Sequence, residues 1–169
     1  MATSTNSTRL IRGTLLSASR CPQLFSRPRP SRVTPAQALG LRYEFRAQKA
    51  LGILAKELRG TLERNPWFKF TDSNGPGAAS PDAILWLDSD VALVVEVKYT
   101  WVPTAAPKLL GLYIPVVQKA LSPNFVDGLI ICKTLTPDSP RPIDQIHKGA
   151  IPPMNPSVYQ WLGQGPLVW

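Results

Sequence analysis

Residues 82–100, DAILWLDSDVALVVEVKYT, decide the reading of this 169-residue chain. Two runs, 82–87 and 91–100, the second strongly β-branched, flank the polar turn Asp88-Ser89-Asp90, the pattern of an antiparallel hairpin. Side chains alternate along a strand, so Glu96 and Lys98 point to the same face. With the turn centred on Ser89, Asp82 falls opposite Glu96, and two carboxylates and an ammonium meet at one place on the sheet. A bare carboxylate inside Leu93-Val94-Val95-Glu96-Val97 is costly unless a cation or partner stabilises it. On the alternative reading, Glu96 and Lys98 are solvated strand positions and Asp82 caps a turn.

Upstream of the hairpin, Thr34 can cap and Pro35 suits a first helical turn. Leu39, Tyr43, Ala47, Ala50, Leu51, Leu54 and Leu58 recur at helical spacing, which predicts an amphipathic helix over 36–63. Asn65-Pro66 ends it, residues 67–71 read as a short strand, and Asp72 to Gly77 read as a flexible Gly-rich loop beside the site. Downstream, residues 104–121 carry the apolar pattern of a buried helix with a bend at Pro115, and 126–135 form a further apolar strand. A strand, helix, strand succession favours a parallel crossover. The order is therefore helix, strand, strand, strand, helix, strand: an α/β core over 36–135 with a mixed central sheet flanked by helices.

The ends differ in character. Residues 1–43 hold seven arginines and no acidic residue, while the remaining 126 carry 12 basic against 11 acidic groups. The basic excess thus sits on an N-terminal arm, residues 1–35, mixed with Ser, Thr and Pro and too poor in apolar residues to fold alone. On this count the body is not itself a basic surface. Arg9, Arg12, Arg20, Arg27, Arg29 and Arg32 are the candidates for contacting phosphates or an acidic partner. The same composition also describes a mitochondrial transit peptide. Residues 136–169 contain seven prolines and end in Tyr159, Trp161 and Trp169, which predicts a docking tail; His147, the single histidine, belongs to it. Cys21 and Cys132 have no partner at metal-ligand spacing, so reduced thiols and no zinc are expected. Every apolar run is too short for the roughly 20 residues that cross a bilayer, so no membrane partner is expected.

Pro81-Asp82, thirteen intervening residues, and then Glu96-Val97-Lys98, on an αβββαβ order, resemble the PD-(D/E)XK nuclease superfamily. The size and the Val-Glu-Val-Lys-Tyr-Thr-Trp run look most like its small bacteriophage-type members. The resemblance implies a restriction-endonuclease-like fold with extended arms and a Mg²⁺- or Mn²⁺-dependent DNA nuclease. In it Asp82 and Glu96 bind metal, Lys98 assists hydrolysis, Glu44 on the first helix is an additional metal ligand or support, and Gln118 is the polar residue of the following helix. Two further readings stay open. One is a structural component of a phage head-to-tail assembly, fastened to other virion proteins by arm and tail. The other is an organellar nuclease whose first 30 or so residues are removed on import. The corresponding locations are the phage particle or host cytoplasm, or the mitochondrion.

Overall fold

The computed structural model describes residues 9–24, 33–146 and 156–169. Arg27, Arg29, Arg32 and His147 lie outside them. The elements are β1 (Leu15–Cys21), α1 (Pro35–Glu57), β2 (Thr61–Arg64), β3 (Trp67–Asp72), β4 (Gly75–Ala79), β5 (Ala83–Asp88) and β6 (Val91–Thr100). They continue with α2 (Ala105–Lys108), a π-helical stretch Leu109–Tyr113, α3 (Ile114–Leu121), β7 (Phe125–Thr134) and β8 (Ser157–Gln160). None of the described helices is long and apolar enough to cross a membrane.

The chain is α/β. A five-stranded mixed sheet runs in the order β2-β5-β6-β7-β8. Its first three strands pair antiparallel and the last two join in parallel, with α2 and α3 forming the crossover between β6 and β7. A separate three-stranded antiparallel sheet, β1-β3-β4, packs with α2 and α3 on one face, while α1 covers the other. Central-strand residues such as Ile84, Val94, Val95 and Ile130 have no exposed surface. Burying each aliphatic side chain of this size stabilises by about 1.5–3 kcal/mol relative to exposure.

The start of α1 follows the expectation. Thr34 Oγ1 accepts from the Gln37 amide, and Gln37 Oε1 accepts from the Thr34 amide, closing a capping box ahead of Pro35. Its end does not. The helix stops at Glu57 because the chain turns at Arg59 (φ 55°) and Gly60, where a Cβ would stand 2.1 Å from the Trp86 carbonyl oxygen. Residues 61–63, expected to be helical, become with Arg64 the strand β2, the immediate neighbour of β5. The expected strand over 67–71 forms, as β3, but in the smaller sheet.

Three other expectations are corrected. The Gly-rich segment is the turn and second strand of a hairpin: β4 pairs with β3, and Gly77 lies so close that a Cβ would be 2.4 Å from the Phe70 ring. The N-terminal arm is part of the fold over its described residues, since β1 pairs with β3 from Leu15↔Asp72 to Cys21↔Trp67. Finally, the tail supplies a strand of the main sheet, with Tyr159, Trp161 and Leu167 buried against α1 and Tyr43 Oη donating to the Trp161 carbonyl at 2.7 Å.

Arg9 explains why the N-terminal segment docks. Its guanidinium grips the buried Asp72 carboxylate at 2.5 and 2.9 Å, donates to the Gly75 carbonyl, and lies 5.4 Å from the Phe70 ring centre. The Arg9 hydrogen bond above all, helped by the amides of Arg12 and Asn74, holds the Asp72 carboxyl well below the usual carboxylate range. Arg20 in turn pairs with Glu63 at 2.6 Å. Arg9 is therefore a structural anchor and not a free phosphate-binding arginine, and Arg20 already holds an acidic partner. Amide hydrogen exchange on the isolated protein should show Ser17 to Cys21 protected, and Arg9→Ala should lower both that protection and the melting temperature. Exchange at free-chain rates across β1 in the wild type would contradict the pairing.

Candidate active site

The site forms where β5 and β6 leave their turn behind. Their register, Ala83↔Val95 and Ile84↔Val94, puts Asp82 opposite Glu96 when carried back one residue. Asp82 Oδ2 accepts from the Val97 amide at 2.7 Å, which fixes its carboxylate against β6. Glu96 shares the face of Val94 and Ile130, under α2 and the π-helical stretch, and is only 1% exposed. Lys98 Nζ reaches Glu96 Oε1 at 2.5 Å and Lys108 Nζ approaches the same oxygen at 3.4 Å. The other oxygen, Glu96 Oε2, is buried and has no hydrogen-bond partner among the described residues.

Electrostatics follow from this crowding. Burial foremost, then repulsion from Glu96 and Glu44, pushes Asp82 up to about 7, against the opposing influence of Lys98 and of the Val97 amide. Lys98 is raised by Glu96, Asp82 and Glu44 more than its burial lowers it. Burial and the same three carboxylates also push the Tyr113 hydroxyl up, and the Lys108 ammonium lies 4.8 Å from its ring centre.

Glu44 approaches from α1, on the opposite layer of the fold. It is tied in by Gln48, a buried amide whose Nε2 lies 3.3 Å from Glu44 Oε1, 3.0 Å from Asn65 Oδ1 and 2.8 Å from the Asp82 carbonyl oxygen. The Asn65 amide donates to that same carbonyl at 3.0 Å, from a backbone with φ 49°. Asp82 is thus held through its main chain as well as its side chain.

Asp82, Glu96 and Lys98 come together, with Glu44 at the edge. Gln118 does not join them: it is exposed, and its Nε2 donates to the Pro123 carbonyl at 3.0 Å, where α3 ends. Gln118 lies on the exposed face of α3, whereas Val116 and Val117 take the buried face and Lys108, at the end of α2, reaches Glu96. Lys108, Gln48 and Asn65 were missed from the sequence. Gln48 had a signal, being one helical turn beyond Glu44 on the same face. Lys108 had none that spacing could reveal.

The donor set suits a hard divalent cation in kind. Two carboxylates converge, and one buried carboxylate oxygen has no hydrogen-bond partner among the described residues, a lone acceptor that an oxygen-seeking ion would satisfy. No group of three or more His, Cys, Asp and Glu converges as a metal cluster among the described residues. A Mg²⁺-type site needs only one or two carboxylates when substrate phosphate and water complete it. Compared with protein-family models, curated proteins and solved structures, the chain matches none.

Proposed function

We propose that this chain is a small Mg²⁺- or Mn²⁺-dependent DNA nuclease built on a restriction-endonuclease-like version of its α/β core. One observation carries the reading: Asp82, Glu96 and Lys98 meet on one sheet face, with Glu96 Oε2 buried and without a hydrogen-bond partner among the described residues. A mixed sheet whose antiparallel hairpin carries the acids and whose next strand arrives by a helical crossover supports it further.

On this reading Asp82 and Glu96 hold the cation, with Glu44 supporting from α1. When bound, the cation supplies polarisation of the phosphodiester and a more acidic water. Lys98 Nζ, beside Glu96, would position an attacking water and offset negative charge growing on the phosphate. Lys108, the second ammonium on Glu96, keeps the acid compensated until substrate arrives. Gln48 and Asn65 keep the Asp82 backbone in place, so its carboxylate needs little reorganisation.

Calorimetry with Mg²⁺ and Mn²⁺ on the nucleic-acid-free protein tests the core of this. Binding should appear at millimolar metal or below, and at one hundred times the dissociation constant it should add about 2.7 kcal/mol of stability, seen as a higher melting temperature. Absence of both effects in the wild type sinks the catalytic reading and leaves the α/β fold untouched. Digestion of linear and circular DNA with and without metal completes the test.

A further inference from the structure

The outer face of α1 carries a second feature, distinct from the acidic cluster. Phe45, Lys49, Ile53 and Lys56 succeed one another at helical spacing along one stripe, with Arg42 and Arg46 beside it, all of them exposed. Phe45 is 68% and Ile53 52% exposed, so two large apolar side chains stand among the cations of this stripe. Between this stripe and β2 lies a concavity of about 460 Å³, lined by Lys49, Ile53, Lys56, Thr61 and Arg64 among others, with no acidic residue. Gly52 forms its floor, and Arg64 lies across it, Nη2 standing 3.0 Å from where a Cβ would be.

No ion pair occupies Lys49, Lys56 or Arg64 among the described residues, and the segments outside them contain no Asp or Glu. Three cations in one trough without an acid repel one another, an arrangement that an anionic ligand relieves. Its position gives the ligand a direction. Arg64 pairs with Ala83 across β2 and β5, next to Asp82, and the following residue, Asn65, bonds the Asp82 carbonyl. Arg64 also lines a neighbouring cavity of about 570 Å³ together with Arg20, Asn65 and Trp67.

We infer that the trough between α1 and β2, with Lys49, Lys56 and Arg64 on phosphates and Ile53 and Phe45 on sugar or base faces, is the track by which a nucleic-acid strand runs up to the Asp82 end of the cluster. The choice of nucleic acid rests on the nuclease reading, and the concavity, with Arg64 on its wall paired to Ala83 one residue from Asp82, favours a strand over a flat anionic membrane. A phosphate track of this kind binds without regard to sequence and weakens steeply with salt.

The test measures fluorescence anisotropy of a short labelled DNA, duplex and single-stranded, with the full-length protein in EDTA, so that cleavage plays no part. Lys49→Glu/Arg64→Glu should weaken binding roughly tenfold or more, and reduce the slope of log affinity against log salt by about two, one per lost phosphate contact. Lys49→Gln/Arg64→Gln should do the same to a smaller degree and decides the matter if the reversed pair melts early. Lys69→Glu/Arg141→Glu, which changes net charge equally at exposed positions elsewhere, should cost at most about a third of the effect in log units. Groove variants that bind like wild type, or no worse than the charge-matched control, overturn the inference. So does wild-type protein that binds anionic phosphatidylglycerol vesicles but no DNA. DNA bound through the groove but left uncut whether or not Mg²⁺ or Mn²⁺ is added keeps the groove and fells the nuclease reading; metal-dependent cleavage together with groove variants that bind like wild type does the reverse.

Discussion

Lys98→Ala is expected to reduce metal-dependent DNA cleavage by about a hundredfold or more, in line with removal of one preorganised charge partner from a developing oxyanion. The geometry separates this from a fold defect. Lys98 Nζ is 2.5 Å from Glu96 Oε1 and its side chain is 28% exposed, so it stands at the mouth of the site with its ammonium turned inward. After truncation, Lys108 at 3.4 Å still compensates part of the Glu96 charge, and a divalent cation can compensate the rest. The variant should therefore lose melting temperature in EDTA and regain most of it with Mg²⁺, while kcat falls with little change in KM for DNA. Lys108→Ala should cost less, because it is farther from Glu96 and leaves Lys98 in place. Turnover unchanged in Lys98→Ala, at matched fold and metal occupancy, would place the chemistry elsewhere on the molecule.

The pairing of Asp82 with Glu96 was legible because both its determinants are local: a period of two along each strand and a turn of known length. A register shift between Trp86 and Asp88 lies on the turn side and leaves the relation between Asp82 and Glu96 intact. The N-terminal strand was illegible for the opposite reason. None of its positions is fully buried, its partner β3 is some fifty residues away, and Arg9 meets Asp72 across 63 residues. β2 has only four residues and directly follows a strong helical pattern, so periodicity alone extended the helix through it. β8 joins the main sheet from a segment whose prolines read as a tail.

Charge arithmetic misled in an instructive way. Counting 12 basic against 11 acidic groups after residue 43 suggested a body without a basic surface. The count treats all acids as equivalent, whereas Asp82 and Glu96 face the site, Glu44 stands at its edge, and Asp72 and Glu63 are engaged by Arg9 and Arg20. Those five do not offset Arg46, Lys49 and Lys56 on the outer side of α1. The arm arginines Arg9 and Arg20 are in turn matched by acids of the body. Segregation, not the total, decides which surface attracts a polyanion.

The second large effect concerns Asp82 and pH. In the unfolded chain its carboxyl has an ordinary value near 3.8, and in the fold it rises to about 7. Below about pH 4 both states hold the proton and the group contributes no difference. Between about 4 and 7 the unfolded chain has released it and the folded protein has not, so the metal-free fold loses stability as pH rises through this window; above about 7 the loss is constant. Asp82→Asn cannot ionise, so in EDTA it should equal the wild type near pH 4 and exceed it at pH 8. Allowing for the part of Asp82 that still touches water, the gain is about 2 kcal/mol, or roughly 4–8 °C in melting temperature. Magnesium should invert the order. A cation competes with the proton for the carboxylate, so the wild type should gain little from Mg²⁺ at pH 5 and most at pH 8, while Asp82→Asn gains little at either. Thermal melts of both proteins across pH 4–8.5, in EDTA and in Mg²⁺, read all four arms. Wild-type and Asp82→Asn curves that run parallel in EDTA would show that Asp82 ionises freely and that the carboxylates are not crowded as described. Curves that cross in EDTA but ignore Mg²⁺ would keep the crowded site and remove the metal from it.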